Sequence, residues 1–193
     1  MKKLTSLLFI LFFGFNTSLF AEKIKRISEG KQDAKITIIT YESLTCGHCA
    51  DFHRGVYPEL KKNFIDTGLV RIEFRHFPLD IAAFNASKIG QCKNDGKSKL
   101  LHTLFSGQKK WAKGKTADEA TSHLKKFLTN QDVNVNFEKC FNNKDIEDFV
   151  LNDRIDAVKK FKISSTPTII INNEKFEKTL NYKNLKKALE KLI

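Results

Sequence analysis

Two cysteines at a short spacing are the first residues in this chain that could do chemistry. Cys46 and Cys49 are separated only by Gly47 and His48, and they lie where a β-branched run gives way to a helical pattern. The first backbone N–H groups of a helix have no intrahelical partners, and together with the helix dipole they favour a negative charge. We therefore expect Cys46 to have a lowered pKa, with His48 adding to the effect when protonated or as a hydrogen-bond donor. Because the thiolate attacks in disulfide exchange, the motif predicts redox chemistry at Cys46.

Cys49 lies one helical turn further along, on the same apolar face as Phe52 and Val56. On a helix, residues three and four apart share a face, so this cysteine should point toward the core. We expect Cys49 to be less exposed than Cys46 and to act as the thiol that resolves a mixed disulfide.

The C-G-H-C motif also fits other classes of site, to differing degrees. A zinc site needs further ligands at suitable spacing, and the other two cysteines of the chain are isolated. Covalent haem attachment needs C-x-x-C-H and is excluded, because Ala50 occupies the last position. A purely structural disulfide would close a very small loop and restrict the unfolded chain little. A Cu(I) site made of two thiolates suits the softness of sulfur, but the chain has no methionine besides Met1 to assist it.

Cys92 and Cys140 lack the features of the first pair. Neither lies at a predicted helix start, next to a histidine, or within a turn of another cysteine. We expect a structural disulfide between them, which on the loop-entropy model would contribute roughly 4 kcal/mol. The alternative is two buried, unpaired thiols.

The other histidines carry no metal-site pattern. Their positions, His53, His76, His102 and His123, do not have the spacing of a ligand cluster. We expect each to be a surface residue or one whose hydrogen bonds are satisfied locally, and we predict no metal site.

The elements on either side of the motif read as strand, helix and strand. Residues 36–41 are a β-branched run typical of a buried strand, and residues 69–77 alternate apolar and charged side chains. Between them, apolar residues recur at helical spacing, with Pro58 expected to kink or break the helix. The helical apolar face comprises Cys49, Phe52, Val56, Leu60 and Phe64. A strand, helix and strand of this size predict a βαβ unit with parallel strands.

The remainder of the chain reads as a helical block followed by a second β-containing unit. Residues 80–162 show no strand signature; helix-like stretches lie at about 80–93, 98–112, 117–129, 136–141 and 145–161, the last with an apolar stripe that includes Ala157 and Val158. A strand at 168–171 then ends at Asn172 and Asn173, which favour a turn. A further strand is expected within 174–179, and a helix at 181–193 with an apolar face of Leu185, Ala188, Leu189 and Leu192.

The first residues have the order of an export signal. Lys2 and Lys3 precede the apolar run 7–13, which is followed by the polar residues 16–18 and by a small residue, Ala21, at the expected cleavage region. We therefore predict a cleaved signal peptide at 1–21, a polar lead-in at 22–34 and one domain at 35–193. A retained membrane anchor is the alternative, although the run is shorter than a span needs. Export would place the cysteines in an oxidising compartment such as the bacterial periplasm.

The net charge has little diagnostic value. The formal charge of +12 falls by two when the predicted signal peptide is removed. The lysines are scattered and the aromatic residues form no stacking platform, so a solvated basic surface is favoured over nucleic-acid binding.

Three stretches of the sequence resemble a known family. They are YESLTCGHCADFH at 41–53, VRIEFRHFPLD at 70–80 and STPTIIIN at 165–172. Together with the large helical block, they are similar to the DsbA-type branch of periplasmic thiol-disulfide oxidoreductases in the thioredoxin superfamily. The resemblance implies an α/β, thioredoxin-like fold, strand-helix-strand then strand-strand-helix, with a large all-helical insertion.

The resemblance also implies the roles of particular residues. Cys46 and Cys49 would form a redox-active disulfide, which needs no separate cofactor, and Pro167 would be a cis-proline facing it. Thr166 would present its backbone to a substrate strand by edge pairing. The partners implied are unfolded exported proteins and a quinone-linked membrane protein that reoxidises the dithiol.

Two departures from the family pattern bear on the direction of the reaction. Many relatives carry an acidic residue six positions before the first active cysteine; here that position is Thr40, and Glu42 lies two residues later. The pair Gly47-His48 resembles that of disulfide isomerases rather than the Pro-His of strong oxidants. We predict an oxidase that is a weaker oxidant than DsbA. We also predict a monomer, because the sequence has no evident dimerisation domain. The alternatives are an isomerase, a reductase or a Cu(I)-handling module.

Overall fold

The structure, a computed structural model, describes residues 23–131 and 133–193. The predicted signal peptide lies outside these ranges. Within them, no helix is both long enough and apolar enough to cross a bilayer.

One five-stranded mixed sheet forms the centre of the molecule. The strands are β1 (Ile27–Glu29), β2 (Ile36–Glu42), β3 (Val70–His76), β4 (Thr168–Ile171) and β5 (Glu174–Lys175). Their order across the sheet is β1-β3-β2-β4-β5. Strands β2 and β3 are parallel, as predicted for a βαβ unit, and the other pairings are antiparallel. This is the thioredoxin-like arrangement that the resemblance implied.

Nine α-helical segments accompany the sheet in the described ranges. They are α1 (Gly47–Asp51), α2 (Tyr57–Leu60), α3 (Ile81–Gln91), α4 (Lys99–Ser106), α5 (Gln108–Trp111), α6 (Ala117–Thr129), α7 (Phe137–Phe141), α8 (Lys144–Phe161) and α9 (Tyr182–Leu189). Segments α3 to α8 form the predicted helical insertion. Its starts are set by local sequence, because the side chains of Asp80, Thr116, Asn136 and Asn143 each accept an N–H at the head of a helix.

Pro58 does not break the helix that carries the cysteines. Helical backbone continues from Gly47 to Ile65, but π-helical turns at Phe52–Val56 and Lys61–Ile65 alternate with α1 and α2. Pro58 lies directly after the π-helical turn Phe52–Val56, where the regular α-helical hydrogen-bond pattern is already interrupted. The helix therefore absorbs the proline by changing its hydrogen-bond pattern.

The central strand β2 is buried on both faces, which explains its β-branched composition. Ile36 and Ile38 join the larger core on the side of α1, and Ile39 and Tyr41 join a smaller core against α8. Strand β3 alternates buried and half-buried residues as its sequence predicted.

Several expectations are corrected by the fold. The lead-in at 22–34 contains strand β1, which its short polar sequence did not reveal, and β5 is shorter than the predicted 174–179. Val158 and Leu192 are exposed rather than part of the apolar faces of their helices. Val158 lies off the buried face of α8, which includes Asp153 and Ala157, and α9 ends at Leu189, before Leu192. The buried Asp153 is paired with Arg26 and accepts the backbone N–H of His76.

The turn between β4 and β5 follows the sequence closely. Asn172 and Asn173 both have positive φ, at 46° and 71°. Two successive left-handed residues make the type I′ turn that matches the twist of a hairpin, and asparagine tolerates this conformation well.

Candidate active site

Cys46 lies at the junction between the loop that leaves β2 and the first turn of α1. Its backbone is extended, with φ of −74° and ψ of 121°, and it is the N-cap residue of α1. Its own N–H donates to the Ser43 carbonyl at 3.0 Å. The sulfur therefore faces the free N–H groups at the start of α1, which is the position expected from the sequence.

The surroundings of Cys46 stabilise its thiolate. A hydrogen bond from the Cys49 thiol is the largest cause that lowers the pKa of Cys46, to about 5, against the opposing effect of burial. The Thr166 side chain and the backbone N–H groups of Cys49 and His48 lower it further. At neutral pH the reduced protein therefore carries a thiolate at Cys46.

Cys49 is in the opposite situation, with its side chain fully buried. Burial raises the pKa of the Cys49 thiol far above its usual range, and the hydrogen bond with Cys46 and the charge of Glu42 raise it further. The two sulfurs of one short motif thus differ in both exposure and charge.

His48 differs from its predicted role. Its imidazole is 88% exposed and lies 4.0 Å from the Asp51 carboxylate. The part of His48 that acts on Cys46 is its backbone N–H, because the ring projects into solvent from the first turn of α1.

The loop before β4 faces the cysteines. The Thr166–Pro167 peptide bond is cis. Cys46 Sγ lies 3.4 Å from the Thr166 carbonyl oxygen, to which it can donate only when it is protonated. Beside this contact lies a groove of about 300 Å³ whose lining includes His48, Phe52, Pro167 and Leu180. The arrangement leaves one face of Cys46 open beside an apolar groove.

The helical insertion holds the active-site loop in place, which the sequence did not suggest. Gln108 on α5 is buried, and its Nε2 donates to the carbonyls of Leu44 at 2.8 Å and Cys46 at 2.9 Å. At the other end, Thr45 donates to the Asp80 carboxylate at 2.7 Å. Gln108 is one polar residue in a helical stretch, so no sequence signal points to this contact.

Buried polar residues form a hydrogen-bonded chain beside Cys49. Strand alternation places Thr40 and Glu42 on the same face of β2, and both are buried. Glu42 Oε2 lies 2.9 Å from His53 Nε2, and the Nδ1 atoms of His53 and His102 are 3.0 Å apart. His102 Nε2 is 2.9 Å from Glu29 Oε1. Glu42, His53, His102 and Glu29 are far apart in the sequence, and the fold brings their side chains into one hydrogen-bonded line.

The other two histidines are bonded locally. His76 is buried and lies 3.1 Å from Gln91 Oε1. His123 Nδ1 lies 3.1 Å from the Lys113 carbonyl oxygen. In residues 23–131 and 133–193, no group of three or more His, Cys, Asp and Glu side chains is placed to hold a metal ion.

The second pair of cysteines is bridged. Cys92 follows the last residue of α3, Cys140 lies in α7, and a disulfide joins them across a sequence separation of 48. The bridge thus ties two helices of the insertion together.

A thioredoxin-like sheet with a C-x-x-C helix start and a facing cis-proline defines the class of protein. Residues 22–191 match the family model described as thioredoxin. The crystal structure of Wolbachia pipientis alpha-DsbA1 is 31% identical, covers 90% of this chain and 94% of its own, and superposes with a TM-score of 0.74. The chain belongs to the thioredoxin family and, within it, to the DsbA-type proteins.

Other relatives extend this comparison. A provisionally named protein-disulfide oxidoreductase of Rickettsia bellii (strain RML369-C) is 27% identical over 168 residues, which cover 85% of this chain and 63% of the relative. The first curated relatives are thus longer, and the chain spans about three fifths of their length. A protein-disulfide isomerase structure from Novosphingobium aromaticivorans shares the fold, with a TM-score of 0.77 at 19% identity.

Proposed function

We propose that this chain is an exported thiol-disulfide oxidoreductase that introduces disulfides into other proteins through Cys46 and Cys49. The observation that carries the proposal is the contrast between the two sulfurs. One is a stabilised thiolate beside an open groove and the other is a buried thiol one turn away.

The contrast assigns the steps of the reaction. A substrate thiolate attacks Cys46 of the oxidised pair, and the electron pair of the broken S–S bond goes to Cys49, which takes up a proton. A second substrate thiolate then attacks the substrate sulfur of the mixed disulfide and releases Cys46 as a thiolate. The substrate is oxidised by two electrons and the protein is reduced by two. One of the two substrate protons is balanced by the proton on Cys49, and the other enters the solvent.

The low pKa of Cys46 favours the oxidising direction. Stabilising the thiolate stabilises the reduced protein, which makes its disulfide a better oxidant. The corresponding cysteine has a pKa of about 7 in thioredoxin, a reductant, and about 3.5 in DsbA, a strong oxidant. A value of about 5 lies between them and supports an oxidase weaker than DsbA.

The substrate class follows from the groove. Its apolar lining and the Thr166 backbone suit an extended, unfolded polypeptide. The order of charged, apolar and small residues in 1–21 supports export to the periplasm. Reoxidation by a quinone-linked membrane protein and a monomeric state complete the proposal.

The test is oxidation of a reduced, unfolded protein by the purified, oxidised chain. Wild type should form disulfides in the substrate, and Cys46→Ser should reduce the rate to the uncatalysed background. The double variant Cys92→Ala/Cys140→Ala is the matched control and should stay active. Activity retained by Cys46→Ser, or absent from wild type, would contradict the proposal.

The direction of the reaction has its own test. Acid quenching of cells followed by thiol alkylation measures the resting state of Cys46 and Cys49. A mostly oxidised pair supports the oxidase, whereas a mostly reduced pair favours the isomerase or reductase that Gly47-His48 resembles. Copper that co-purifies only when both cysteines are present would instead favour the Cu(I) module.

A further inference from the structure

A line of four buried or half-buried side chains runs from the neighbourhood of Cys49 to the opposite surface. It begins at Glu42, continues through His53 and His102, and ends at Glu29, with each link between 2.9 and 3.0 Å. No part of this line touches the Cys46 groove, and the reaction as written above does not use it.

Glu42 is the member closest to the chemistry. Its Oε2 faces His53, but its Oε1 is buried and has no hydrogen-bond partner within the described structure. Its charge raises the pKa of Cys49, after the larger effects of burial and Cys46, so the carboxyl and the buried sulfur interact electrostatically. Burying an oxygen without a hydrogen-bond partner costs free energy of folding. An oxygen left free in this way can give or accept a proton.

The two imidazoles are arranged to pass a proton. A hydrogen bond between two Nδ1 atoms needs one donor and one acceptor, so a single proton lies between His53 and His102. His53 is held flat against Phe105, with ring centroids 4.1 Å apart, and its side chain is only 5% exposed. Its surroundings fix the ring so that its two nitrogens point to Glu42 and His102.

The outer end of the line reaches the surface at a cleft that is lined by one carboxylate, Glu29, and by Lys61, Lys97 and Lys99. The His102 side chain is 26% exposed and lies beside a surface cleft of about 420 Å³, whose lining includes Lys61 and Ser98. Glu29 at this end also accepts from Tyr57 and Ser98 and pairs with Lys61. The hydrogen bonds from His102, Ser98, Tyr57 and Lys61 outweigh burial and hold the pKa of Glu29 well below its usual range, so Glu29 stays ionised.

We infer that His53 and His102 form a proton relay that joins Glu42, and through it Cys49, to the cleft at Glu29. The inference rests on the proposed function, because it concerns the proton that Cys49 gains and loses there. When Cys49 leaves as a thiolate, it takes a proton from Glu42 Oε1 by way of one water molecule, because Oε1 has no direct hydrogen-bond partner, and Oε2 takes one from His53 Nε2. His53 Nδ1 takes one from His102 Nδ1, and His102 changes from cation to neutral imidazole. Reoxidation of the dithiol runs the same transfers backwards, so neither ring has to turn over.

The relay explains how the chain can have Thr40 at the position where many relatives carry an acidic residue. Positions 40 and 42 share a face of β2, so Glu42 places a carboxyl on the same side of the strand as the acid many relatives carry. Moving it by two residues brings it within reach of His53. The proton that Cys49 gains and loses is then held on His102, behind the active site, where a bound substrate cannot block the transfer.

The test measures reduction of the oxidised protein by dithiothreitol, followed by acid quench and alkylation, between pH 5 and pH 8. His102→Gln keeps a donor to Glu29 but cannot pass a proton, so the rate should fall by about 10²-fold, the lower end of the range for a positioned acid or base. The pH dependence of the rate should also change, because the group that holds the transferred proton is gone. His123→Gln, a matched change at a half-buried histidine outside the line, should behave as wild type.

Two further variants separate a relay from a structural role. His102→Ala opens a space beside the cleft, and added imidazole should restore the rate with a saturating dependence on its concentration. Glu42→Gln should cause a similar loss, with little added by His102→Gln, because both break one pathway. Near-ultraviolet circular dichroism checks that each variant is folded.

The outcomes distinguish this inference from the proposed function. If wild type exchanges disulfides and His102→Gln matches His123→Gln in rate and pH profile, the relay is wrong and the oxidoreductase stands. A slow His102→Ala that imidazole does not rescue also contradicts the relay. If wild type does not exchange thiols with protein substrates, the proposed function fails.

Discussion

The chain contains two pairs of cysteines whose surroundings differ in almost every respect. Cys46 and Cys49 lie within one helical turn, and the first has a stabilised thiolate beside a groove. Cys92 and Cys140 join two helices of the insertion across a sequence separation of 48. Nothing about the thiol group distinguishes them, so position in the fold alone decides which pair should cycle and which should stay closed.

The difference has two physical origins. Helix-start N–H groups and the Cys49 thiol stabilise a thiolate at Cys46, which favours the reduced state. A bridge between residues 48 apart removes much of the freedom of the unfolded chain, which favours the oxidised state, whereas a bridge between residues 46 and 49 removes little. The free energy of folding thus favours reduction of the Cys46–Cys49 disulfide and opposes reduction of the Cys92–Cys140 disulfide.

Selective reduction is the largest expected consequence. Disulfides of DsbA and of protein disulfide isomerase have potentials of about −120 and −180 mV, whereas structural ones lie below about −300 mV, a gap of at least about 10⁴-fold in the equilibrium constant. A glutathione buffer should therefore reduce Cys46–Cys49 and leave Cys92–Cys140 intact. Alkylation and peptide mass mapping would show which thiols are free. Equal reduction of both pairs would refute the comparison.

The pH dependence of Cys46 should be the next largest effect. Alkylation of reduced protein should rise with a midpoint near pH 5, rather than near the usual 9.0. The pKa of Cys46 is lower in the folded protein than in the unfolded chain, so its thiolate stabilises the folded, reduced form. This stabilisation is complete above pH 9 and is lost as the pH falls toward 5. The raised pKa of Cys49 affects the free energy of unfolding only above pH 9. Between pH 5 and pH 9, the change in this free energy that comes from the two thiols is therefore due to Cys46. Urea unfolding of reduced and oxidised protein should show their difference growing with pH; a constant difference would contradict it.

Removing the second pair should affect stability without affecting chemistry. Cys92→Ala/Cys140→Ala should lower the free energy of unfolding by roughly 4 kcal/mol on the loop-entropy model, because the unfolded chain regains its freedom. The alkylation midpoint of Cys46 should stay near pH 5. Urea unfolding and iodoacetamide kinetics on the same preparation measure the two effects. A shifted midpoint would show that the bridge acts on the active site.

Much of the fold follows from local sequence. The β-branched run of β2, the alternation of β3 and the asparagines of the β4–β5 turn each specify their structure within a few residues. The helical insertion was predicted almost segment by segment, because its helices carry capping residues and apolar faces. Strand β1 was missed because three residues at a sheet edge leave no periodic signal, and its pairing with β3 is a tertiary contact.

The active site also has a part that local sequence predicts and a part that depends on distant residues. The Cys46–Cys49 motif is local, and its chemistry follows from its place at a helix start. The contacts around it are not local: Gln108 lies 62 residues from Cys46, and His102 lies 49 residues from His53. The sequence did not reveal either that His48 acts on Cys46 through its backbone N–H while its ring is 88% exposed.

Gln108→Ala tests whether the insertion supports the active pair. The change removes the Gln108 hydrogen bonds to the carbonyls of Leu44 and Cys46. The Cys46 carbonyl keeps the Ala50 N–H, but the Leu44 carbonyl loses its donor, and an unsatisfied buried polar group costs about 1–3 kcal/mol. The free energy of unfolding should fall by about that amount in both redox states. Gln32→Ala, at an exposed glutamine, should change it by less than about 0.5 kcal/mol. Equal effects of the two changes would mean that the insertion does not hold the loop.

Gly47→Pro should give the smallest effect and one of opposite sign. Gly47 is the first residue of α1, and a Cβ there would meet no heavy atom within 4 Å. Cys46 already has the extended backbone that a residue before proline prefers, so the change should raise the free energy of unfolding by about 0.4–1 kcal/mol. Gly55 also has open space for a Cβ, but it lies inside the helix, where proline should cost roughly 3 kcal/mol. Urea unfolding of both variants checks the signs. Destabilisation by Gly47→Pro would show that the first turn of α1 needs the Gly47 N–H, which would place that group among those acting on the Cys46 thiolate.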